Sequence, residues 1–122
     1  MNIGRLKKRP QFLEISNKGH KAVTKSFVVF CLFDFIENQR PEYQNFDALF
    51  GLTVTKKLGN AVKRNRIKRR LRHVMADIAP EIPPEFDGAG LVLIGRYNAD
   101  KTDYQELCGE MKKCLNWLRK QK

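Results

Sequence analysis

Long apolar runs are missing from this sequence. The longest, FVVFCLF from Phe27 to Phe33, is the size of a strand and falls far short of the ~18–20 residues of a membrane-spanning helix. Cysteine is scarce. Cys31, Cys108 and Cys114 are an odd number without CxxC spacing, which argues against a disulfide framework and predicts reduced thiols in a cytoplasmic protein. The opening MNIGRLKKRPQF has no apolar segment of the kind a secretory leader carries. His20 and His73 are isolated and the 13 acids are scattered, so no metal-ligand cluster or pair of hydrolytic carboxylates stands out. No glycine-rich phosphate loop is present. The expectation is a chain without catalytic residues, bound metal or cofactor of its own.

The most telling absence is of acid. No Asp or Glu occurs between Asp47 and Asp77, while KKLGNAVKRNRIKRRLR, Lys56 to Arg72, carries nine Lys and Arg. The formal net charge of the whole chain is +11. Crowded like charge works against folding, so an external polyanion is expected to offset it. Nucleic acid ranks first among candidates and an anionic membrane surface second.

What is present reads as one folded domain, residues 1–122, with 42% hydrophobic and 10% aromatic residues. Pro10 opens a short helical pattern (Phe12, Leu13, Ile15, Ser16) that Gly19 stops. VTKSFVVFCLFDFI, Val23 to Ile36, reads as one long strand, apolar on both faces at its centre. Residues 37–47 read as a loop around Pro41. ALFGLTVTKK, Ala48 to Lys57, reads as a second strand with two unlike rows. Ala48, Phe50, Leu52 and Val54 form an apolar row. Leu49, Gly51, Thr53, Thr55 and Lys57 form a small, mildly polar row ending in a cation, suited to be a floor on which something lies.

Gly59 ends that strand and Asn60 is a good N-cap. Ile67, Leu71, Val74, Met75 and Ile78 then mark one stripe of a long helix. On a 100° wheel Asn65, Arg69 and Arg72 fall opposite the stripe, flanked by Arg66 and His73. Arg64 points toward the end of the sheet, where Lys57 also lies. AGLVLIGRYN, Ala89 to Asn98, reads as a buried strand whose closing Arg96 and Tyr97 could equally edge an RNA surface or be ordinary loop residues. TDYQ, Thr102 to Gln105, reads as a capping box. The last helix is expected to bury Tyr104, Leu107, Cys108, Met111, Leu115 and Leu118. Cys31 and Cys108 are expected in the core, Cys114 partly exposed, and Trp117 in a packing role. The class is α+β with a single small sheet, in the order α-β-β-α-β-α.

A solvated helix normally mixes charge signs, because i,i+4 ion pairs help it. This one does not, and its arginines suit bidentate phosphate contacts. A helix reading DNA bases would offer more varied outward side chains, with a second helix a short turn away. Neither is found, which favours backbone and shape recognition of folded RNA over DNA.

The basic stretch, with Arg64, Asn65 and Arg66 at its heart, closely resembles the signature of the bacterial ribonuclease P protein family. RLKKRPQF, FGLTVTKKLGNAV and GLVLIGR extend the resemblance along essentially the whole chain. The resemblance implies an α-β-β-β-α-β-α fold with a left-handed crossover carrying the basic helix. The additional short strand is then to be sought in residues 37–47. It also implies a ribonucleoprotein that removes the 5′ leader of precursor tRNA, with magnesium ions held by the RNA subunit. On that footing Lys63, Asn65, Arg66, Lys68, Arg69 and Arg72 bind the RNA subunit. Phe12, Val28, Phe30, Thr53, Thr55, Lys57 and Arg64 bind the leader in a cleft. Many relatives carry a second aromatic where Ser16 stands, which implies that stacking on the first helix is either weaker here or shifted to the strand. The competing expectations are a ribosomal or RNA-chaperone protein and a DNA-binding module.

Overall fold

A computed structural model describes residues 1–122. Its strands are β1 (Ile3–Arg5), β2 (His20–Val23), β3 (Phe27–Leu32), β4 (Ala48–Thr53) and β5 (Gly90–Gly95). Its helices are α1 (Arg9–Lys18), α2 (Ala61–Ile78) and α3 (Tyr104–Arg119). The strands form one sheet in the order β1-β4-β5-β3-β2, with β1, β4 and β5 parallel and the β3 and β2 pairings antiparallel.

Local chemistry explains the helix boundaries. The Gln11 side-chain oxygen accepts from the Lys7 and Lys8 amides, both at 3.1 Å, which starts α1. Asn60 Oδ1 accepts from the Lys63 amide at 3.0 Å and caps α2. Gly59 precedes it at φ 129°, a left-handed conformation that favours glycine. The predicted α2 stripe is buried in full: Ile67, Leu71, Val74, Met75 and Ile78. Pairs such as Arg64/Lys68 and Arg66/Arg70 repel at a cost of only ~0.2–0.5 kcal/mol each. Burying each of the five apolar side chains contributes ~1.5–3 kcal/mol, so packing decides that the basic stretch is helical.

The sheet has two unequal covers. Phe27, Val29, Cys31, Phe50, Leu91 and Leu93 face α2 and α3 in the main core. On the other face Ile15 of α1 packs with Leu6, Phe35, Ile36, Tyr43, Leu49 and Val92 in a smaller core. An added Cβ at Gly90 would stand 2.6 Å from Ile15 Cδ1, so glycine lets α1 approach there.

Several expectations need correction. Val23–Ile36 is not one strand. It folds back at Thr24, whose Oγ1 accepts from the Ser26 and Phe27 amides, making the β2–β3 hairpin. Beyond Leu32 the chain turns through Asp34 at φ 58°. The hairpin supplies the additional strand. Residues 37–47 supply none, because Pro41 opens a tight turn, Pro41–Tyr43, that buries Tyr43. The family order therefore appears from α1 onward, preceded by the unforeseen β1, which is too short to show a period. β4 ends at Thr53 instead of Lys57, since the chain turns at Lys56–Leu58 and Leu58 packs back on the core. The cap of α3 is Asp103, accepting from the Gln105 and Glu106 amides, and not Thr102. Cys114 is buried and Cys108 only partly so, the reverse of the expectation, and Trp117 is 48% exposed. Tyr104 is likewise only partly buried.

Candidate nucleic-acid interface

Because α1 crosses the sheet and covers only one end of it, the rest of that face stays open. Strand register defines the floor. One row runs Gly51, Val92, Phe30, Lys21 across β4, β5, β3 and β2, and the next runs Thr53, Ile94, Val28, Val23. A groove of about 420 Å³ lies between α1 and this floor, lined by Arg9, Phe12, Leu13, Ser16, Thr53, Val92 and Ile94. The Phe12 ring abuts Gly51 through Cε1 and Cζ, where an added Cβ would stand 2.4 Å away. Lys21 Nζ stands 5.7 Å from the Phe30 ring centroid, a distance at which a cation is attracted to an aromatic face. The wall is thus aromatic and aliphatic, with hydroxyls and cations at its margins. Such a surface takes stacked bases without reading their identity.

Of the seven residues expected in a cleft, Phe12 and Thr53 line the groove, and Val28 and Phe30 are half-buried on its floor. Thr55 and Lys57 are exposed just beyond β4, on the connection into α2. Arg64 is half-buried, and its Nε has no hydrogen-bond partner within the chain. Arg9, Leu13, Val92 and Ile94 were not foreseen. Arg9 and Leu13 could have been found from the spacing of α1. Val92 and Ile94 could not, because a central strand is apolar on both faces whatever those faces do.

The opposite side of α2 is the second surface. Asn65, Arg69 and Arg72 are exposed, while Lys63, Lys68 and Arg70 are half-buried. Of the nine cations from Lys56 to Arg72, only Arg66 has a carboxylate within salt-bridge distance. Arg66 donates through Nε and Nη2 to both oxygens of Asp100, at 2.5 and 2.9 Å. The Asp100 side chain is only 2% exposed and that of Arg66 46%. Arg70 donates to the backbone carbonyls of Ala99, Asp100 and Thr102. Two arginines of the basic helix therefore clamp the turn Tyr97–Asp100, which leaves Lys63, Arg64, Lys68, Arg69 and Arg72 for an external anion.

The hydrogen bonds from Arg66 hold the Asp100 carboxyl below the ordinary carboxylate range. Burial opposes this, and the charges of Arg66, Lys63 and Lys101 reinforce it. A lowered folded-state pKa means that the contribution is whole above the unfolded value of about 4. It is lost as pH falls through the folded value. Asp100→Asn should therefore be less stable than the parent at pH 6, and the gap should close as pH falls below the ordinary carboxylate value of about 4. Urea midpoints across that range measure it; a gap independent of pH would refute the assignment.

Burial pushes the Cys31 thiol up to about 12 and the Cys114 thiol to about 11, so neither supplies a thiolate near neutral pH. No three His, Cys, Asp or Glu side chains are grouped so as to hold a metal ion. No helix is long and apolar enough to cross a membrane.

Relatives carry the same architecture. The ribonuclease P protein component of Streptococcus thermophilus is 35% identical over 103 residues, covering 84% of this chain and 81% of the relative. The RNase P protein of Staphylococcus aureus superposes with a TM-score of 0.70 at 28% identity, covering 93% of each chain. A mutant of the S. aureus protein with defective mRNA degradation activity gives 0.71 at 28% identity, covering 93% of this chain and 86% of the mutant. The family model for ribonuclease P matches residues 2–119. With the match running through all five strands and all three helices, this chain belongs to the ribonuclease P protein family.

Proposed function

We propose that this chain is the protein subunit of a cytoplasmic ribonuclease P. It binds the catalytic RNA through the outer face of α2 and the 5′ leader of precursor tRNA in the α1 groove. Endonucleolytic removal of the leader then yields the mature tRNA 5′ end. One observation carries the reading: the open end of the sheet face, with its aromatic wall, leads through Thr55 and Lys57 directly into α2, which carries no acid before Asp77. One strand of RNA can lie across the floor while folded RNA rests on the helix. Stacking on Phe12 and Phe30 fits a leader of any sequence, because every base has a π-face. The cations offset repulsion between two RNAs brought together, so less magnesium is needed to hold them. In this reading the RNA subunit holds the magnesium ions and cuts the phosphodiester, while the protein positions substrate.

Reconstitution with a bacterial ribonuclease P RNA tests the reading. Leader removal at low magnesium should require both components. A protein-alone arm, offered precursor tRNA and an mRNA, should show no cleavage; cleavage that tracks the folded protein would place catalysis on the chain. Failure of the protein to lower the magnesium requirement would count against the subunit assignment.

Phe12→Ala probes the groove. Stacking of one base on an aromatic contributes ~1–3 kcal/mol, so holoenzyme affinity for precursor tRNA should fall about tenfold. Mature tRNA, which has no leader, should bind as before, and so should the RNA subunit. Equal losses for precursor and mature tRNA would make Phe12 a core residue only.

A further inference from the structure

The turn that follows β5 carries an exposed aromatic on an unusually fixed base. Arg66 and Arg70 clamp its backbone and the Asp100 carboxylate, Ala99 is fully buried beneath it, and Thr102 Oγ1 donates to the Asn98 carbonyl at 2.6 Å. Yet Tyr97 at its head is 58% exposed. Lys63 Nζ, from the first turn of α2, stands 3.6 Å from its ring centroid. Tyr97 also borders a groove of about 270 Å³ whose lining includes Lys25, Lys101, Asp103 and Glu106. Both acids there are engaged: Asp103 caps α3, and Glu106 pairs with Lys25 at 2.5 Å. The two cations and two acids of that lining balance, which suits a base, whereas Lys63, outside the lining and over the Tyr97 ring, suits a phosphate.

We propose that Tyr97 is a stacking platform for an unpaired RNA base, with Lys63 holding the neighbouring phosphate. The site rests on the RNA-binding reading above and is distinct from the α1 groove. Preorganisation is what makes the ring useful. The arginine clamps hold residues 99–102 directly behind Tyr97 and Lys63 Nζ stands over its ring, so little backbone freedom is lost when a base stacks on it. The base comes either from the RNA subunit lying on α2 or from the leader; the chemistry is the same.

The test uses the full chain with Tyr97→Ala, Tyr97→Phe and Lys63→Met, folds checked by circular dichroism. Affinity is measured against salt for ribonuclease P RNA and, in the holoenzyme, for precursor and mature tRNA. Stacking releases no counterions, so Tyr97→Ala should weaken binding about tenfold with an unchanged slope of log K against log salt. Tyr97→Phe should match the parent, and Lys63→Met should lower the slope by roughly 0.7–0.9. A loss in the RNA-subunit arm assigns the base to that RNA; a loss confined to precursor tRNA assigns it to the leader. Unchanged affinity in every arm overturns the platform. So does a reduced slope for Tyr97→Ala, which would make the ring a mere prop for Lys63, or an equal loss in Tyr97→Phe, which would make it a hydroxyl contact. If the parent protein binds no ribonuclease P RNA, the subunit reading fails by that result alone. A short oligoadenylate, titrated against the same variants, then decides the platform independently.

Discussion

Gly51→Val should erase the distinction between precursor and mature tRNA and lower stability by about 1–3 kcal/mol, the usual cost of overpacking. The cause is geometric. A Cβ at position 51 would stand 2.4 Å from Phe12 Cε1, 2.5 Å from Cζ and 2.9 Å from Leu6 Cδ1. Phe12 must then leave the sheet, and with it would go the aromatic wall proposed for a leader base. Valine itself suits a strand, so the effect cannot be laid to backbone propensity. Gly109 on α3 is the control. Nothing lies within 4 Å of a Cβ there, so Gly109→Ala should stabilise by about 0.5–1 kcal/mol without altering either tRNA affinity. Denaturant midpoints and paired tRNA titrations measure both variants. An intact preference for precursor tRNA in Gly51→Val would show that the groove does not hold the leader.

Replacing Arg69 and Arg72 together by alanine should weaken binding to the RNA subunit by roughly 10–100-fold near physiological salt. It should also flatten the slope of log K against log salt by roughly 1.4–1.8, at ~0.7–0.9 per lost phosphate contact. Both side chains are exposed and neither has a carboxylate partner in the chain. Alanine also favours the helix, so the fold should survive. Arg66 and Arg70 differ. Their substitution opens the clamp on Asp100 and its neighbours, so weakened RNA binding there would mix lost contacts with a loosened turn. If the double variant keeps the parental slope, phosphate recognition lies elsewhere than the outer face of α2.

Much of this protein is legible along the chain because its causes are local. The α2 stripe from Ile67 to Ile78, its Asn60 cap, the Pro10 entry and Gly19 exit of α1, and the floor-like row through Gly51 and Thr53 all depend on neighbours a few residues away. A helix period or a strand alternation records which side faces the core. The same holds for the charge argument, since a run of cations without acids is visible at once.

Pairing across long stretches of chain leaves no such mark. Thr24 breaks what looks like one continuous apolar strand, because a hairpin's two strands carry the same residue types as a single long one. β1 has three residues and no period, and it exists because β4 offers it an edge. Val92 and Ile94 line the groove only because β5 lies between β4 and β3, with α1 covering half of that face. Asp100 brings a carboxylate to Arg66 from 34 residues away, and that pairing separates the clamp from otherwise equivalent arginines that have no acidic partner in the chain. Composition and period state how much charge and apolar surface each segment carries. Which cation meets an acid, and which apolar face stays uncovered, are settled only when distant segments compete for the same space.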